Sequence, residues 1–100
     1  MDLRARILAS MKQAMKEKDA ERLSTVRLIS AAIKDRDIAA RADGNDDGVD
    51  ETEVMAILGK MTRQRQESAC TYEEAGRLDL AEREMAEIKV IEEFLPKQLS

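Results

Sequence analysis

Asp50-Glu51-Thr52-Glu53-Val54-Met55-Ala56-Ile57-Leu58-Gly59-Lys60-Met61 decides the fold class. Asp50 followed by Glu53 is the Asp counterpart of a capping box, in which the first acid accepts a bond from the backbone of the opening turn and the second reaches back. Both carboxylates also suit the positive end of a helix. Val54, Ile57, Leu58 and Met61 then recur at helical spacing. Tyr72 and Ala75 resume that stripe before Gly76, a residue suited to a left-handed stop. The spacing therefore predicts a helix over residues 51–75, roughly 25 residues or about 37 Å long.

Outward from this helix the same period recurs. Leu3, Ile7, Leu8, Met11, Ala14 and Met15 follow Asp2, a good N-cap, and predict a helix over residues 3–18. Leu23, Val26, Ile29, Ile33 and Ala40 predict a second over residues 20–42, opened near Asp19. Ala81, Met85, Ile88, Ile91 and Leu95 predict a helix over residues 79–95, ended by Pro96. The link from Lys18 to Ala20 is short, and no β pattern or internal repeat intervenes. The expected fold is all-α, four antiparallel helices with two long central ones. Residues 96–100 read as a Pro-containing link to a further helix, with Ser100 placed as its N-cap.

Composition agrees with a single helical domain. The chain has 100 residues, 43% apolar and 2% aromatic, with one Pro and four Gly, so Leu, Ile, Met and Ala do the packing. Met11, Met15, Met55, Met61 and Met85 are expected to be mainly core filler. Charge is uneven: residues 1–18 carry a net +3, residues 43–53 hold six acids and no base, and the whole chain is at -4. An acidic total argues against strong sequence-independent phosphate binding, because that affinity comes from Lys and Arg displacing counterions.

Several chemistries are excluded or disfavoured. The chain has no His, which removes His-based triads and the usual zinc sites. Cys70 is the sole cysteine, read as a packed or edge thiol, and no internal disulfide can form. Asp43-x-Asn45-x-Asp47-Gly48 fits the opening of an EF-hand loop, but Asp50 and Val54 stand where an apolar residue and a bidentate Glu are required. A solvated acidic loop is the better reading. Glu73-Glu74 and Glu92-Glu93 are adjacent on helices and read as solvated faces. No catalytic residue, metal site or cofactor is expected, and the N-terminus lacks the apolar run of a signal or membrane span. A cytoplasmic location is the expectation.

Arg65 and Ser68 interrupt the stripe of the third helix, and Glu84 falls on the interior edge of the fourth. An inward Arg needs a partner, so Arg65 with Glu84 is the expected ion pair, with Glu87 nearby and Arg27 as a competing base.

A larger pattern is carried by Arg63-Gln64-Arg65, Ala75-Gly76-Arg77-Leu78-Asp79-Leu80, Glu84, Glu87 and Phe94-Leu95-Pro96-Lys97-Gln98-Leu99-Ser100. In joint spacing it resembles the GatB/YqeY family, helical proteins related to the C-terminal part of the amidotransferase that converts mischarged tRNA. The resemblance implies accessory work linked to glutamine-dependent amide transfer on aminoacyl-tRNA, with tRNA or an amidotransferase assembly as partner. A functional reading beside it takes Arg27, Lys34, Lys60, Arg63, Arg65 and Arg77 as candidates for phosphate contact, with Glu84 and Glu87 positioning those bases. The resemblance also implies that residues 96–100 start a linker to a second small helical domain not present in this sequence. The alternatives are a non-catalytic protein-interaction module and, more weakly, a Ca²⁺ sensor.

Overall fold

A computed structural model describes residues 2–96. Four helices account for the secondary structure of the described residues: α1 Leu3–Glu17, α2 Ala20–Ala42, α3 Glu51–Glu74 and α4 Leu78–Glu92. The expected all-α architecture with two long central helices is present. Its ends follow local chemistry. Asp2 accepts from the Ala5 amide at 2.8 Å, Asp19 from Arg22 at 3.1 Å and Asp50 from Glu53 at 2.9 Å, so three of the four helices open on an aspartate cap.

The expected boundaries need small corrections. Lys18 is not the last residue of α1 but its left-handed cap, at φ 58°, and the Asp19 amide reaches back to the Ala14 carbonyl at 2.9 Å. Ala75 caps α3 from outside, Gly76 takes φ +74°, and the Arg77 amide donates to the Tyr72 carbonyl at 2.8 Å. The helix α4 starts one residue early and ends at Glu92, not Leu95. The chain turns before Pro96 because Phe94, only 5% exposed, is drawn into the core. Residues 97–100, and with them the Ser100 cap, lie outside the described residues.

Val26, Ile29, Val54, Leu58 and Ile91 are wholly buried where α2, α3 and α4 meet, and Leu3 and Ile7 close the core from α1. Burial of each such side chain stabilises the fold by about 1.5–3 kcal/mol. The methionines divide: Met61 is buried, Met11 and Met55 pack at its edge, but Met15 and Met85 are exposed, as is Leu8. The expected stripes of α1 and α4 are thus narrower than the sequence suggests, since Leu3, Ile7 and Ala14 suffice to fill the seam that α1 offers.

One polar junction joins α1, α2 and the chain entering α3. Arg4 grips Asp37 with both nitrogens, Nη1 to Oδ2 at 2.9 Å and Nη2 to Oδ1 at 2.6 Å, and Nη2 also donates to the Val49 carbonyl at 2.9 Å. The Val49 amide completes the ring by donating to Asp37 Oδ1 at 2.9 Å. The Leu3 amide donates to Glu51 Oε1 at 3.0 Å beside it. Asp37 is buried, and its carboxyl is held at about 2 against an ordinary 3.8, chiefly by the Arg4 hydrogen bond and then by the Val49 amide. A depressed carboxyl stabilises the fold fully above pH about 4, and that contribution is lost as the pH falls toward 2.

Gly48 makes this junction possible. It adopts φ +79°, and a Cβ there would lie 2.5 Å from Asp37 Oδ1; Gly44, at φ +95°, has open space around it. Gly44→Ala is expected to cost about 1–2 kcal/mol of left-handed strain, and Gly48→Ala roughly 1–3 kcal/mol more from the added clash. Paired chemical denaturation curves measure the difference. Equal losses would mean that Asp37 yields freely and that the junction is loose.

Candidate functional site

α1 and α2 run antiparallel, since Lys18 and Asp19 join them at one end while Arg4 meets Asp37 at the other. α3 and α4 form a second hairpin. Arg65 and Glu87 stand equally far either side of Gly76, so an antiparallel register brings them together. Arg65 Nε donates to Glu87 Oε2 at 2.8 Å, with both side chains mostly covered, and Nη1 donates to the Met61 carbonyl at 3.3 Å. The partner of Arg65 is therefore Glu87 and not Glu84. Arg27, the competing base, is exposed on α2 and joins no ion pair among the described residues.

Glu84 sits half-buried beside this pair without an ion-pair contact of its own. Burial raises its carboxyl above the usual range, the Glu87 charge raises it further, and Arg65 lowers it in part. One guanidinium thus serves two carboxylates and bonds to one of them. The arrangement ties α3 to α4 across the hairpin.

Other cations are also engaged. Arg22 binds Glu93 with two bonds, at 3.0 and 2.8 Å, tying the start of α2 to the end of α4. Arg6 donates to the Glu93 carbonyl at 2.9 Å and lies over the Phe94 ring, 5.6 Å from its centroid. Arg77 meets Asp79 at 3.4 Å, a pair more than half exposed at both ends and of small energetic weight.

Of the six residues proposed for phosphate contact, Arg65 and Arg77 face carboxylates. Arg27, Lys34, Lys60 and Arg63 are exposed, and the described residues give none of them an ion pair. They form two pairs and not one stripe. Lys60 and Arg63 stand on the side of α3 turned away from Val54, Leu58 and Met61, whereas Lys34 lines a shallow cleft with Leu8 between α1 and α2. The Arg4–Asp37–Val49 junction escaped the sequence reading. Its available signal was an acid at position 37, four residues after Ile33 on the apolar stripe of α2.

The comparisons with known proteins bear on this arrangement. The Yqey-like protein family matches residues 4–100. The chain belongs to that family. Among curated relatives it is similar to "Altered inheritance of mitochondria protein 41, mitochondrial" of Meyerozyma guilliermondii, 40% identical over 85 residues, which is 85% of this chain and 42% of the relative. The protein of the same name from Vanderwaltozyma polyspora is 35% identical over 85 residues, covering 85% of this chain and 44% of the relative. That of Lachancea thermotolerans is 34% identical over 95 residues, covering 95% and 49%. The chain spans about half the length of these curated relatives. No described helix of this family member is long and apolar enough to cross a membrane.

The Arg65 cluster yields a prediction of opposite signs. Arg65→Ala leaves two adjacent half-buried acids without a base and is expected to cost roughly 1–3 kcal/mol, less than for a fully buried pair. Glu84→Gln is expected to raise the melting temperature at neutral pH. A carboxyl whose folded value is raised is ionised at a cost above that value, so the gain should shrink as the pH falls through it. Thermal melts across pH test both. A stable Arg65→Ala protein would move Arg65 from the fold to an interface.

Proposed function

We propose that this chain is a non-catalytic accessory domain that contacts tRNA phosphates, within the glutamine-dependent amide transfer on aminoacyl-tRNA that the GatB/YqeY resemblance implies. The ligase chemistry would belong to the larger assembly. The observation that carries the reading is the division of the basic residues. Arg4, Arg22 and Arg65 are held by carboxylates, whereas Lys60 and Arg63 project from α3 one helical turn apart and join no ion pair among the described residues. Free cations at that spacing fit successive phosphate oxygens. Glu87 acts indirectly by holding Arg65 within α3, and Arg77 lies at the far end of the same helix beside Asp79.

A protein-interaction module is the second reading, favoured by Leu8, Met15, Leu28, Ile38, Leu78 and Met85, each more than 40% exposed. As to compartment, the single cysteine fits a reducing interior, and the relatives' names assign those proteins to mitochondria. A mitochondrial setting is accordingly favoured over the cytoplasm expected from the sequence.

Fluorescence anisotropy of labelled tRNA across a salt series tests the proposal. Binding should weaken with salt, and Lys60→Ala with Arg63→Ala should reduce the log–log salt slope by about 1 per phosphate contact removed. Binding that ignores both substitutions would move the contact away from Lys60 and Arg63, and no binding even in low salt would remove tRNA from the account and leave the protein-interaction reading.

A further inference from the structure

The outer face of the α1–α2 hairpin combines exposed apolar side chains with unopposed cations. Leu8, Lys12 and Met15 lie at i, i+4 and i+7 on α1, on the flank beside its buried stripe, and Leu8 and Met15 are 50% and 54% exposed. Arg27 and Lys34 lie at i and i+7 on α2, both exposed, and so share one flank of that helix, where Lys34 lines a cleft against α1. The hairpin register brings these rows together. Leu8 and Lys34 already line one shallow cleft of about 210 Å³ with Ser30 between the helices. Because the chain folds back at Lys18 and Asp19, Arg27 lies at the level of Lys12 and Met15. The acid that lines this cleft, Asp37, is already bound by Arg4, and Lys12, Arg27 and Lys34 join no ion pair among the described residues.

We propose that this face docks an acidic amphipathic helix of a protein partner, its apolar residues seated along Leu8 and Met15 and its carboxylates meeting Lys12, Arg27 and Lys34. The choice rests on charge and shape. Three cations flank two aliphatic anchors, and a helix bearing acids beside an apolar row presents the complement. Nucleic acid supplies phosphates but nothing that seats a Leu and a Met, and no aromatic side chain stands in the strip for base stacking. A lipid surface would call for a wide convex apolar face, whereas this one is a shallow groove with two anchors. The inference goes beyond the tRNA reading and uses different residues from Lys60 and Arg63.

The test titrates the isotopically labelled full chain with a designed helical peptide of about 15 residues carrying a Leu row flanked by Glu. A peptide with the Glu replaced by Lys, anionic phosphatidylserine vesicles and an RNA hairpin are run beside it. The Glu peptide should perturb amide resonances around Leu8, Lys12, Met15, Arg27 and Lys34, and added salt should weaken it. The double variant Leu8→Ser with Met15→Ser, at half-exposed positions, should weaken binding about tenfold while melting as the parent does. Either of three results overturns the proposal: equal response to the Glu and Lys peptides, response of this face only to vesicles or RNA, or no response to any probe. Resonance shifts on simple dilution would also overturn it, by making a second copy of the chain the occupant.

Discussion

Everything in this fold depends on how the N-terminal hairpin is locked to the chain that begins α3, and one buried carboxylate does it. Asp37 receives two bonds from Arg4 and one from the Val49 amide, while Arg4 closes on the Val49 carbonyl. The apolar core could bring four helices together in more than one register, because Leu, Ile and Val contacts are non-directional. The carboxylate–guanidinium pair is directional, planar and bidentate. It fixes the spacing of α1 against α2 and, through Val49, the place where α3 starts. Gly48 is required beside it because no Cβ fits against Asp37.

The second hairpin is organised on the same principle at its own seam. Arg65 bonds Glu87 across α3 and α4, and Arg22 with Arg6 draws the Glu93–Phe94 turn back onto α2 and α1. Each inward or bridging arginine is therefore committed to a carboxylate or a carbonyl. The bases left over stand on outer faces. Under the proposed reading, the cations that would meet a partner are those the fold does not consume.

Helix existence and type were legible because the periods were long and the caps chemically explicit; Asp2, Asp19 and Asp50 each open a helix as their side chains require. Stripe width was less legible. Leu8, Met15 and Met85 share the period of the core but fall on its flank, and periodicity cannot say how wide a seam the neighbouring helix will cover. The end of α4 was misplaced because Phe94 packs inward and turns the chain before Pro96 does. The stripe of α4 taken alone points to Glu84 as the partner of Arg65; the register across the Gly76 turn, which single-helix patterns do not contain, selects Glu87. The Asp37 junction needed three segments to be placed at once, and one acid on an apolar stripe was its only trace.

The claim that this junction governs the fold is tested most directly by native-state hydrogen exchange at the Val49 amide. Val49 lies outside any helix, yet the account predicts that its amide exchanges only with global unfolding, as slowly as amides of the α2 core around Ile33. Exchange at the rate of an open loop, with α2 still protected, would contradict it and show that the core alone sets the register.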